Sequence, residues 1–257
     1  MKDVWTPLSR ELDAWGAAGR TATFWWRDDD ARAPSRALDR LADLQAGVGV
    51  PVALAVVPYG MDPDLAGWLR AHGDHGGIAV LQHGYAHQNF GGPRQKRVEL
   101  GPQRPAEQVI GELAQGSQIL ERLPGARRIL VPPWNRIARH LIPILPDLGF
   151  AGLSTFGARR RAQPVADLTQ VNTHIDPIDW KATRRFRGTG AVLADAVAHL
   201  EARRTGTADA EEPTGLLTHH LAHDSATWSF IASFVGHIAA HEAARMVAVD
   251  DMFARAA

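Results

Sequence analysis

Short apolar runs rich in β-branched and aromatic residues alternate along the chain with longer stretches whose apolar positions recur at helical spacing. The short runs fall at 21–27, 50–57, 78–81, 128–131, 150–155, 170–174, 215–218 and 246–249. The helical stretches fall at 34–45, 63–71, 105–123, 139–148, 191–203 and 226–239. Three of them open on proline (Pro34, Pro63 and Pro105), which suits a first helical turn because the N–H it lacks would have had no partner there. This alternation predicts an α/β protein with a parallel sheet. Seven or eight such units close most economically as a distorted, TIM-like (β/α) barrel, expected as a single domain over 1–257 with its motif-bearing core at about 21–251. The doubly wound open sheet is the alternative, but no Gly-x-Gly-x-x-Gly turn follows the first run. Segments 89–104 and 205–214 break the pattern and read as loops, the first on the rim of a site and the second on the outside.

The residues that close these runs carry chemistry. The first run ends in Asp28-Asp29-Asp30, adjacent carboxylates whose repulsion calls for a cation. The third ends in His83-Gly84-Tyr85-Ala86-His87, two imidazoles four apart that can share one face of a helical turn. Val131-Pro132-Pro133-Trp134-Asn135, Asp176-Pro177-Ile178-Asp179-Trp180 and His219-His220 follow three more runs. In a parallel barrel all of these converge on the C-terminal face of the strands, where catalysis takes place.

Composition narrows the chemistry. Lys plus Arg and Asp plus Glu number 28 each, so no global basic field exists to gather nucleic acid, and the expected partner is a small-molecule or glycan substrate. The runs Arg159-Arg160-Arg161 and Arg184-Arg185 read as solvated faces, with an anionic subsite as the alternative. Cysteine is absent, so a transition metal must be held by His and carboxylate ligands. No run approaches the ~18 apolar residues of a membrane span. The first twenty or so residues lack the continuous apolar core of a secretory signal. The expected location is therefore cytoplasmic, with no membrane partner.

With its motifs in this order, the chain resembles the polysaccharide deacetylase superfamily, the NodB homology domain of family 4 carbohydrate esterases, over most of its length. The resemblance implies an Asp pair as base and metal ligand, placed at Asp29 and Asp30, with the register Asp28 and Asp29 as the alternative. In the first register Asp28 is a supporting carboxylate. His83 and His87 complete the implied ligand set, for a divalent metal with zinc first and cobalt, nickel or manganese as alternatives. The family's third motif carries an Arg beside the base. Here Val131 stands in its place, and Arg27 or Arg136 could supply the charge from another direction.

The same resemblance makes Pro133, Trp134 and Asn135 a wall of the groove, with the Trp134 N–H on the oxyanion, and adds Tyr85 and Trp180 as substrate contacts. Trp25, Trp26 and Trp228 are further candidate stacking surfaces. His219 would be the general acid, oriented by Asp179 or by Asp176. His219 and His223, also four apart, form a rival metal pair, and Asp224 takes another role because His220 occupies the place where the family has an Asp. His72 and His75 read as exposed residues of a Gly-rich turn. The implied activity is metal-dependent removal of an acyl group, acetyl above all, from an N-acylated sugar or related amide. A catalytically impaired metal- or glycan-binding member and a hydrolase of a small non-sugar amide are the alternatives. A serine hydrolase is set aside because 152–156 only partly imitates Gly-x-Ser-x-Gly.

Overall fold

The computed structural model describes residues 3–73 and 77–253. The elements run α1 (Thr6–Ala17), β1 (Ala22–Ala31), α2 (Arg36–Val48), β2 (Val52–Val56), α3 (Asp64–Gly73), β3 (Ile78–His83), α4 (Ala106–Leu120), β4 (Ala126–Val131), β5 (Gly152–Leu153), β6 (Thr169–Gln170), α5 (Thr189–Thr205), β7 (Thr214–Thr218), α6 (Ser225–Ala240), β8 (Ala244–Met246) and α7 (Val249–Met252). All the strand pairs are parallel, in the order β6-β5-β4-β3-β2-β1-β7, with β8 beside the start of β1. The sheet curls into a distorted barrel. Its seam is held where Ile175 bridges Leu216, by His174 N–H to Gly215 O at 2.7 Å and Leu217 N–H to Ile175 O at 2.8 Å.

Strand alternation sorts the side chains into an outer and an inner layer. Phe24, Trp26, Leu54, Val56 and Val80 face outward into the helices and pack with Leu8, Leu12, Leu38, Leu41, Phe234 and Ile238. Trp25, Ala53, Ala55, Leu81, Ile129, Val131 and Val171 face inward, joined by Val247, Val249 and Phe253. The small Ala53 and Ala55 leave room for the Trp25 indole, whose N–H finds Asn172 O at 2.9 Å. On β1, therefore, odd positions enter the barrel and even ones enter the helical layer. That parity decides what the acidic triplet can do.

Each of the eight apolar runs overlaps a strand. The last is displaced toward its start, because Val249 already opens α7. Residues 139–148 form two 3-10 turns rather than an α-helix, since Pro143 and Pro146 remove N–H groups that a longer helix would need. Helix α1 was not among the expected elements, although Leu8, Leu12 and Trp15 give it a buried face at helical spacing. His72 lies on α3 stacked on Trp68, with ring centroids 4.3 Å apart, and His75 falls outside the described residues. The 205–214 segment is not merely external. Its Glu212 is fully buried and accepts the N–H groups of Arg159 and Asn172, both at 2.9 Å. Among the described residues, no helix is long and apolar enough to cross a membrane.

The seam tolerates no extra atom. A Cβ on Gly215 would meet the Trp25 indole nitrogen and would stand 2.7 Å from Asn172 O. Gly215→Ala should destabilise the protein by about 1–3 kcal/mol through overpacking. The check is the denaturant midpoint, and an unchanged midpoint would refute the closed seam.

Candidate active site

Arg27 and Asp29 lie two apart on β1 and so share the inward face. Both are buried, and the guanidinium clasps the carboxylate with both prongs, Nε to Oδ1 at 2.8 Å and Nη2 to Oδ2 at 3.0 Å. The remaining donors are also used. Nη1 reaches Ser154 Oγ at 2.7 Å and Thr155 O at 3.4 Å, and Nη2 reaches Asn135 Oδ1 at 2.7 Å. The five N–H groups thus meet five acceptor contacts, as a buried guanidinium requires. Of the two residues that could replace an Arg at Val131, Arg27 is the one on the carboxylate; Arg136 instead donates to Arg97 O at 2.7 Å.

Asp30 would face away from Asp29 on a regular strand. Its φ of 75° breaks the pleat, where the β1–β2 register also shifts, and Asp30 joins His83 and His87 instead. The turn after β3 is not helical. Gly84 and His87 both have positive φ, 57° and 55°, and the turn is stapled from below by the buried Glu99, which accepts Tyr85 N–H at 3.2 Å and Ala86 N–H at 2.7 Å. A Cβ at Gly84 would collide with Glu99 and with Pro133, so this Gly is required by space as well as by φ.

Asp30 Oδ1 lies 3.1 Å from both His83 Nε2 and His87 Nε2, yet it is buried without a hydrogen-bond partner. His83 Nδ1 donates to Val131 O at 3.0 Å, so a neutral His83 turns its Nε2 lone pair toward the carboxylate. Lone pairs converge here on a common point, and only positive charge reconciles them. Burial lowers His83, but Asp29 and Asp30 outweigh it and push the imidazole up; burial would raise Asp30, and the two histidines hold it far below the usual carboxylate range. This donor set fits a divalent cation bound by one carboxylate and two imidazoles.

Asp28, of opposite parity, points into the helical layer and is fully buried. It accepts from Thr218 Oγ1 at 2.6 Å, from His220 N–H at 3.0 Å and from His220 Nδ1. Burial would raise Asp28, but His220 and Thr218 hold it below its ordinary value, and Asp28 in turn raises His220 against the effect of burial. With Asp28 so committed, it does not join Asp29 beside His83 and His87. The clamp fixes the segment that carries His219 into the cleft. His219 N–H donates to His223 Nε2 at 3.0 Å, which occupies the nitrogen a rival His219–His223 metal pair would need. Asp224 caps α6 through Thr227 N–H at 2.8 Å.

The two carboxylates expected beside His219 are differently committed. Asp179 spends its carboxylate on its own turn, accepting the N–H groups of Lys181, Ala182 and Thr183. Asp176 is a half-buried carboxylate that feels the His219 charge; desolvation raises it, against His219 and the N–H groups of Ile178 and Trp180. The Trp180 ring stands edge-on to His219 with centroids 4.7 Å apart.

Asp29, Asp30, His83, His87, Trp134, Asn135, Arg136, Trp180 and His219 all line a cleft of about 1330 Å³. Trp134 packs on His87 at 4.3 Å between centroids. Tyr85 does not line the cleft; its hydroxyl donates to Gln115 on α4 at 3.0 Å. Pro133 is buried under Gly84, and Trp25, Trp26 and Trp228 are core residues rather than stacking surfaces. Of the six non-glycine residues with positive φ among those described, five (Asp30, His87, Trp134, Asn135 and Arg184) line this cleft, so backbone strain is concentrated there. Glu99 was not anticipated. Its signal was slight: a lone carboxylate between Val98 and Leu100 in a polar loop.

A second group, His174, His199 and Glu212, also brings ligand-type atoms within 4.8 Å of one another. Its chemistry does not suit a cation. His174 Nδ1 accepts Gly215 N–H at 3.0 Å, which leaves the proton of the neutral ring on Nε2, facing Glu212. Arg203 reaches Thr214 Oγ1, the partner of His199, and burial together with His174 and Arg203 pushes His199 down to about 2.

No family model and no curated protein matches the sequence. Solved structures do match in three dimensions. A protein assigned as a polysaccharide deacetylase from Mycobacterium smegmatis superposes with a TM-score of 0.60 at 15% identity, covering 93% of this chain and 91% of that one. A peptidoglycan N-acetylglucosamine deacetylase gives 0.54 at 16%, covering 97% and 98%. A family 4 carbohydrate esterase pseudoenzyme from Bacillus anthracis gives 0.56 at 12%, covering 91% of this chain and 66% of that one. At such identities the likeness is one of fold, and the chain has the fold of the polysaccharide deacetylases.

Removing Asp28 would strand the buried His220. Asp28→Ala should cost about 3–5 kcal/mol of stability, as loss of one partner of a buried pair does. Asp28→Asn, which keeps the shape, should cost about 1–3 kcal/mol. Denaturant titration distinguishes the two, and wild-type stability in Asp28→Ala would show that the pair does not form.

Proposed function

We propose that this chain is a metal-dependent hydrolase that removes an acyl group, acetyl in the first instance, from the nitrogen of an N-acylated sugar or related amide. The observation that carries this reading is the placement of Asp29, locked by Arg27, beside the Asp30, His83 and His87 set, with His219 lining the same cleft. The shared fold with deacetylases supports it.

Asp30, His83 and His87 would hold the cation, with zinc the first choice and cobalt, nickel or manganese the alternatives. Bound there, it would polarise the acyl carbonyl and acidify a water molecule. Asp29 is the base in this reading. Each of its oxygens accepts one prong of Arg27 and retains a lone pair, so the carboxylate is held in one orientation and can still receive the proton of an attacking water. The Trp134 N–H serves the developing oxyanion, and the Trp134 and Trp180 rings wall the acyl-bearing group. His219 hands a proton to the departing nitrogen, with Trp180 against its edge and Asp176 as the nearby carboxylate. An amine leaves poorly without that proton, which is why a positioned acid favours amides.

The non-catalytic reading rests on Val131 in place of an Arg and on His220 where the family has an Asp. The Arg27 clasp on Asp29 answers the first of these, because the guanidinium that Val131 lacks arrives from β1.

Metal-supplemented protein should bind one divalent ion per chain, measured by elemental analysis. The ion should be lost in Asp30→Ala and His83→Ala and kept in His199→Ala. Retention in the first two variants would sink the ligand assignment. Asp29→Asn should keep its metal and lose about 10²–10⁴-fold in acetate release from an N-acetylated sugar. His219→Gln should slow an N-acetyl substrate far more than an activated aryl ester, whose leaving group needs no proton. Equal losses on both substrates would remove His219 from the acid role.

A further inference from the structure

The cleft lining holds five carboxylates and five cationic side chains, and the two kinds are differently partnered. Its carboxylates are already occupied. Asp29 is clasped by Arg27, Asp30 belongs to the metal set, and Asp195 pairs with Arg187 at 2.6 Å. Asp176 accepts the Trp180 indole, and Asp179 is spent on its own turn. The cations are not. Arg97, Arg136, Lys181 and Arg184 all line the cleft, and among the described residues none lies within 4 Å of a carboxylate.

The Arg97, Lys181 and Arg184 side chains are exposed, and the backbone that carries them is held in place. Arg136 Nη1 donates to Arg97 O at 2.7 Å, tying the loop after β4 to the loop after β3. Across residues 179–184, Arg184 N–H donates to Asp179 O at 2.7 Å while the Asp179 carboxylate gathers the N–H groups of Lys181, Ala182 and Thr183. Arg184 itself keeps a strained φ of 54°. The carboxylate that sequence reasoning gave to the acid thus builds a turn bearing two cations on the cleft wall. Cations gathered in a cleft focus the field toward a ligand more strongly than the same charges on an open surface.

We infer that the substrate carries an anionic group, a carboxylate or a phosphate set apart from the acyl amide, and that Lys181 and Arg184, with Arg97 and Arg136, receive it. This inference rests on the proposed hydrolase reading for the position of the amide, and it specifies the substrate class of that same cleft.

The test uses the metal-loaded full chain and three N-acetyl amino sugars: the neutral N-acetylglucosamine, its 6-phosphate, and its 3-O-lactyl ether, which carries a carboxylate. At low salt at least one charged sugar should exceed the neutral one in kcat/KM by about tenfold or more. The advantage should shrink as ionic strength approaches 1 M, where screening acts within about 3 Å. The phosphate and carboxylate arms tell which anion is preferred. In the double variant Lys181→Ala, Arg184→Ala the ratio of charged to neutral turnover should fall about tenfold. Calorimetric binding of the same sugars to metal-loaded Asp29→Asn gives a readout apart from turnover. Charged sugars that bind no better than the neutral one, with no salt dependence, overturn the inference even if all three are hydrolysed. Tighter, salt-dependent binding of a charged sugar without any hydrolysis by the wild type upholds the anion site and overturns the hydrolase reading instead.

Discussion

The buried guanidinium of Arg27 is the constraint on which the cleft depends. A charge inside a barrel is tolerated only when every donor is met, because an unpaired one would carry its full desolvation cost. Meeting five N–H groups draws together the end of β1, the Asn135 turn after β4 and the segment Ser154 to Thr155 after β5. Beneath lies the apolar plug of Trp25 with Ala53 and Ala55; above lies the open cleft. Arg27 is thus the layer at which packing gives way to chemistry, and it holds Asp29 still at that boundary.

Most of the frame was legible in the chain because period and punctuation report backbone geometry directly. Runs of β-branched residues ending in Asp28-Asp29-Asp30 or His83 gave both the strands and the ends that matter. Strand parity also separates Asp28 from Arg27 and Asp29, but only once it is known which face of β1 looks inward. Trp25 and Trp26 are equally apolar and do not say. Glu99 and Asp179 were hidden for another reason. Their carboxylates serve backbone N–H groups of turns, and a turn's hydrogen-bond needs depend on φ values, such as those at His87 and Arg184, that no side-chain pattern encodes. Helix α1 is legible in the spacing of Leu8, Leu12 and Trp15, and Pro143 argues against an α-helix over 139–148.

The same contrast separates the two groups of potential ligands. By proximity alone, His174, His199 and Glu212 look as capable as Asp30, His83 and His87. Their hydrogen-bond partners tell them apart: a carbonyl behind His83 frees the facing nitrogen for a cation, while an N–H behind His174 puts the proton where the cation would go. Ligand identity and distance are therefore necessary for such a site, and the polarity of the far side of each ring decides it.

Asp28 pairs in register with Thr218 across β1 and β7, and its carboxylate reaches past the end of β7 to the His220 N–H. Asp29 and His219 are consequently borne by neighbouring strands about 4.8 Å apart, the fixed spacing of any sheet. Their separation is a property of the ladder and owes nothing to the length or composition of the rim. Rim positions other than Glu99, Asp176 and Trp180 can thus be recharged or exchanged over evolutionary time without resetting the distance between Asp29 and His219, so that this scaffold can change what it recognises while the floor of its cleft stays where it stands.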